Sequence, residues 1–190
     1  MVKELGASVD VVEKFSLYDG SLNSVVDLMR NKNINVHNLD IVNDDISKEL
    51  PKNYYDFISC EAVIEHLCGS PVKLLENAKK LLKPNGIIIV VVPNVAHLVK
   101  RIKFLLRGTP PFPPIEVLLA SKYPFTGHNR EYNVKELKYL LNQVIGFEEL
   151  KIQLFNLNDS NRKSWKLKII DFLSLFNENF RDSIWYAGKR

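Results

Sequence analysis

Glycine is scarce: eight occur in 190 residues, and none falls in a cluster ahead of Glu13. The only two cysteines, Cys60 and Cys68, make neither a disulfide framework nor a zinc pattern. That leaves a reducing, cytoplasmic setting as the expectation. The longest apolar run, Ile87 to Val92, is far too short to cross a bilayer. No segment combines the charged start, apolar run and cleavage site of a signal peptide. Internal repeats and low-complexity linkers are also missing. The net charge of +4 is mild. It permits weak contact with a membrane surface and makes no case for nucleic acid.

What is present fits one globular domain with a substantial core, with 46% apolar and 25% charged residues. Val9, Val11 and Val12 predict a buried strand ending at Glu13. Asp19-Gly20-Ser21 then reads as a turn and cap, followed by Leu22, Val25, Val26 and Met29 at helical spacing. Ile34 to Leu39 alternates apolar and polar residues, which predicts a strand ending at Asp40. Tyr54 to Cys60 is the next strand, with a turn or short helix over Glu61 to Leu67. Ser70-Pro71 opens a helix whose stripe is Val72, Leu75, Ala78 and Leu82, and Lys83-Pro84-Asn85-Gly86 stops it. Ile87 to Val92 has the composition of a central strand covered on both faces.

Val95 to Leu106 reads as a helix with lysines and arginines largely off its apolar side. Gly108 to Phe125 is proline-rich and irregular, with a turn of helix at Ile115 to Ala120. Asn133 to Glu136 fits a capping box ahead of Leu137, Leu140, Leu141 and Val144, with Gly146 as the C-terminal cap. Glu149 to Asn156 and Ser183 to Ala187 are strands, and Trp165 to Phe176 forms a last apolar helical face. The alternation predicts an α/β fold: a mostly parallel sheet covered by helices, with an antiparallel finish.

In such sheets ligands sit at the carboxyl ends of the strands, so Glu13, Asp40, Cys60-Glu61 and Pro93-Asn94 matter most. Glu13 can accept both hydroxyls of a ribose, or be a solvated strand-end acid. Asp40 can bond an adenine amino group, or cap the turn into Ile41-Val42. His37 lies inside a strand and His97 on a helix, and neither is assigned any chemistry.

YYDFISCEAVIEHL followed by LLKPNGIIIVVVPN resembles the class I methyltransferases that use S-adenosylmethionine. The likeness continues through HNREYNVKELKYLLNQVIGF and SIWYAGKR, and so covers nearly the whole chain. It implies a Rossmann-like methyltransferase domain over 1–190, with insertions at about 95–132 and 157–182. It places Glu13 at the ribose, Asp40 and Ile41 at the adenine, and Cys60-Glu61 beside the methionine part of the cofactor. His66 and His128 would face the substrate or brace its walls, and they are the candidate bases for a hydroxyl acceptor. The implied acceptor is a small molecule or lipid-like compound, with Tyr123-Pro124-Phe125 as a plausible wall. Some ubiquinone-pathway relatives carry a divalent metal on E-x-x-E-H. The matching stretch here is Ala62-Val63-Ile64-Glu65-His66, without the first acid, so no metal is expected.

The resemblance also implies a first strand and a glycine-rich loop, and neither precedes Glu13. Lys3-Glu4-Leu5-Gly6 reads as the end of the helix that should follow that loop. In the family's order the first strand lies between the second and the fourth, so its loss predicts a divided sheet. Each buried backbone group left unsatisfied costs roughly 1–3 kcal/mol. A longer native chain is the favoured explanation, ahead of a re-paired sheet or a strand supplied by a partner. The alternative function is a non-catalytic remnant serving as a binding module, with the sheet edge forming a homodimer.

Overall fold

The structure, a computed structural model, describes residues 6–15, 20–44, 46–108, 115–121, 127–157, 172–173 and 176–190. Asp19, the Tyr123-Pro124-Phe125 wall and most of the Trp165–Phe176 face lie outside them. The chain forms two compact units, Met1–Pro51 and Lys52–Arg190.

In the first unit, β1 (Asp10–Glu13) pairs in parallel with β2 (Asn35–Asn38), joined by α1 (Asn23–Asn31). The register sets Asp10 against Asn35 and Glu13 against Asn38. Asp10 also accepts from His37 Nε2 at 2.8 Å, so this histidine is a structural partner. Val26 of α1, Ile46 of α2 (Ile46–Glu49) and Leu50 supply buried apolar side chains.

The second unit holds a four-stranded sheet in the order β3-β4-β6-β5. Its strands are β3 (Tyr55–Glu61), β4 (Leu82–Pro93), β5 (Glu148–Phe155) and β6 (Ser183–Lys189). β3 runs parallel to β4, while β6 is antiparallel to both β4 and β5. Only the last strand is reversed, because β5 returns to the direction of β4.

β4 lies between β3 and β6, but its Ile-Val run is fully covered on one face only, with Ile87, Ile89 and Val91 half-buried. Ile88, Val90 and Val92 are 0–1% exposed. The KPNG turn lies within β4, with Asn85 in the left-handed region at φ 66. Leu82, expected at the end of a helix, pairs with Tyr55 instead, so α3 (Val72–Leu81) closes one residue early.

α4 (Leu98–Arg107) begins later than the Val95 predicted. The Asn94 side chain accepts from Ala96 N at 2.9 Å and holds a turn there, and His97 stays extended. α5 spans Ile115–Ala120.

α6 (Val134–Lys138) starts with the capping box predicted for Asn133 and Glu136. It continues as wider π turns over Tyr139–Val144, which carry Val144 off the buried stripe to 45% exposure. Gly146 ends it at φ 78, a conformation that suits glycine. Among the described residues no helix is long and apolar enough to cross a membrane.

Leu141 is 0% exposed and Tyr139, two residues before it, is 66% exposed. Leu141→Ala should therefore cost about 2–5 kcal/mol of stability. Tyr139→Ala should cost less than about 1 kcal/mol. Urea unfolding midpoints read the difference, and equal midpoints would contradict the packing described.

Candidate active site

At the carboxyl end of β1, Glu13 accepts from Lys14 N at 2.9 Å through Oε1. Its Oε2 has no partner among the described residues, as a ribose-binding carboxylate requires. Asp40, after β2, accepts from Val42 N and Asn43 N through Oδ1, and from Lys14 Nζ and Asn43 Nδ2 through Oδ2. Those bonds use the acceptor positions of a carboxylate. Burial pushes this carboxyl up, but the bonds from Lys14, Asn43 and Val42 outweigh it and bring the pKa down to about 2. Asp40 thus caps this turn and shapes the backbone at Ile41.

In the second unit, Cys60 and Glu61 close β3. Cys60 is buried, and burial followed by the charges of Glu65 and Glu61 pushes its thiol up to about 12. It is a neutral packing group rather than a nucleophile. Glu61 is exposed and accepts from the Ser59 hydroxyl at 2.5 Å. Ala62 then takes a left-handed backbone at φ 52, unusual for a residue with a side chain. Its amide still donates to Val91 O at 3.0 Å. The turn swings the chain out of the sheet into the 3-10 turn Ile64–His66.

That turn receives segment 127–132. The Glu65 carbonyl accepts from Asn129 N at 2.7 Å and Arg130 N at 3.2 Å. Asn129 Nδ2 donates to His66 O at 2.9 Å, and His66 Nδ1 donates to Gly127 O at 3.2 Å. Tyr132 forms a parallel bridge with Asn94, and its carbonyl accepts from Val95 N at 3.0 Å. The segment is therefore fixed to the ends of both β3 and β4.

The result brings His66 and His128 together, with rings edge to face and centroids 4.8 Å apart. His128 Nδ1 donates to Glu131 Oε1 at 2.9 Å, which leaves Nε2 as the acceptor of the neutral ring. Glu131 is also paired with Lys100. Burial, then His66, then Lys100 lower the pKa of His128, so the neutral imidazole prevails at neutral pH. Glu65 is 1% exposed, and its Oε2 has no hydrogen-bond partner among the described residues. Burial raises its pKa, favouring the protonated acid. An arrangement of this kind can accept, hold and pass on a proton.

Glu65, His66 and His128 each offer one donor atom, all within 4.8 Å of one another. A cation could draw such a set together, and His128 is the donor that the local E-x-x-E-H pattern could not reveal. Glu131 and Lys100 also escaped the sequence. The first sat within the REY stretch and the second among basic residues of a helix.

A family model described as a methyltransferase domain matches residues 7–151. Among functionally curated proteins none matches. Several solved structures share the fold. An S-adenosylmethionine-dependent methyltransferase from Archaeoglobus fulgidus is 21% identical, with TM-score 0.61 over 100% of this chain and 79% of that one. One from Mesorhizobium loti is 12% identical, with TM-score 0.61 over 99% of this chain and 83% of that one. Another from Thermotoga maritima, titled a possible histamine N-methyltransferase, is 15% identical with TM-score 0.59, covering 99% and 75% of the two chains. The family match takes in both β1 and the segment that carries His128, and on that extent the chain belongs to the methyltransferase-domain family.

Proposed function

We propose that this methyltransferase takes its methyl group from S-adenosylmethionine and transfers it to a hydroxyl of a small-molecule or lipid-like acceptor. The observation that carries the hydroxyl is the pairing of a neutral imidazole, His128, with His66 and a buried carboxyl at the end of β3. S-adenosylmethionine supplies an already activated methyl group on a sulfonium. The protein's task is to align the groups, exclude water and receive the hydroxyl proton.

His128 is the base that takes that proton at Nε2, held in the required tautomer by Glu131. His66, fixed by Gly127 and Asn129, is the second candidate and walls the same space. Glu13 accepts the ribose hydroxyls, and the turn at Asp40-Ile41 meets the adenine. Cys60 and Glu61 flank the methionine part. These roles rest on strand-end position and family likeness, and the open Oε2 of Glu13 supports the first of them. The cluster is expected to work without a metal, because Ala62 stands where the E-x-x-E-H pattern has its first acid.

Three measurements follow. Calorimetry should show S-adenosylhomocysteine binding that Glu13→Ala weakens by about 10–100-fold, the worth of a lost charged hydrogen-bond pair. Undiminished affinity in that variant would remove Glu13 from the site. The imidazole of His128, followed by NMR, should titrate below 6.5, because burial and neighbouring positive charge disfavour the imidazolium. A value above 6.5 would leave it protonated too readily to serve as the base. Manganese titration followed by EPR should reveal no stoichiometric site, and a tight one-to-one signal lost in His128→Ala would assign a metal to the cluster.

A further inference from the structure

α4 leaves much of its apolar side uncovered. At 100° per residue, Leu98, Val99, Ile102, Leu105 and Leu106 fall on one arc of about 120°. Lys100 lies opposite that arc and is the residue that faces the protein, paired with Glu131 and 23% exposed. Lys100 is held inward at the first turns, while from Arg101 onward every residue of the helix is exposed and the apolar arc at Ile102, Leu105 and Leu106 is left uncovered. Leu105 is 80% exposed, Leu106 79% and Ile102 39%, and no residue of α4 is buried. Contiguous exposed leucines of this kind mark a surface meant to be covered.

We propose that the outward face of α4 docks on an anionic lipid surface. Residues 95–108 contain Lys100, Arg101, Lys103 and Arg107 and no acid. Arg101 and Lys103 border the apolar arc on its two sides, where long cationic chains reach lipid phosphates while the leucines enter the acyl boundary. A second copy of the chain is a poor cover, because two α4 helices face to face would bring like charges together. The helix is held at its first turns: Arg101 donates to Ala96 O and lies 5.6 Å from the Phe180 ring centroid. Its last turn is the most exposed, and it ends at Gly108 in a left-handed cap at φ 63. The inference stands on α4 alone and does not depend on which acceptor is methylated.

The test is sedimentation of the full chain with vesicles of phosphatidylglycerol and phosphatidylcholine, and with vesicles of phosphatidylcholine alone. The chain should sediment with the anionic vesicles, less so as salt rises, and far more weakly with the neutral ones. The double variant Leu105→Ser, Leu106→Ser should bind at least about tenfold more weakly. Lys103→Glu should also weaken the preference for anionic lipid. Both variants change exposed side chains, so unaltered urea midpoints show that they remain folded. No sedimentation with anionic vesicles overturns the proposal. Equal binding to neutral vesicles, or full binding by the serine variant, does so too. A dimer in lipid-free buffer that the serine variant disperses would give this face to a second copy instead.

Discussion

The second unit depends on how segment 127–132 is bound to the sheet. The Glu65 carbonyl accepts two amides of that segment, and Asn94 bridges Tyr132 from the end of β4. Buried backbone groups must find partners, so these bonds are obligations of the fold as much as features of a site. Asn94 is 1% exposed, and its Nδ2 also donates to Asn179 O and Arg181 O. One side chain thus ties the end of β4 to the approach into β6 while the backbone beside it receives the segment carrying His128. Without that clasp the imidazoles of His66 and His128 would have no reason to meet.

The same network explains the electrostatics of the cluster. Glu131 holds the Nδ1 proton of His128 and is itself neutralised by Lys100. Lys100 belongs to α4, so the ion pair that steadies the imidazole also ties the first turn of that helix to segment 127–132.

Periodicity and composition made most of the strands and helices legible, including the Ile-Val run that became β4 and the capping box at Asn133. The departures have local causes. Leu82 joined a strand because Tyr55 was available to pair with it. Val95 stayed outside α4 because the Asn94 side chain captured the next amide but one. Val144 left its stripe because the π turns change the angle per residue. At the site, each strand-end residue could be named in advance, but its bonding could not. Asp40 could be read as a cap or as an adenine ligand, and its hydrogen bonds show the cap. The meeting of His66 and His128 was invisible because it is made by backbone bonds between segments far apart in sequence. Glu65 was legible as an acid beside a histidine, while its burial and unpartnered oxygen were not.

The central claim is that the strand ends hold S-adenosylmethionine. An NMR titration with S-adenosylhomocysteine tests it most directly, by following the backbone amides of Glu13, Ile41, Cys60 and Glu61. All four signals should move along one saturation curve, while those of Leu105 and Leu106 stay still. Saturating ligand that leaves the strand-end amides unmoved would contradict the account.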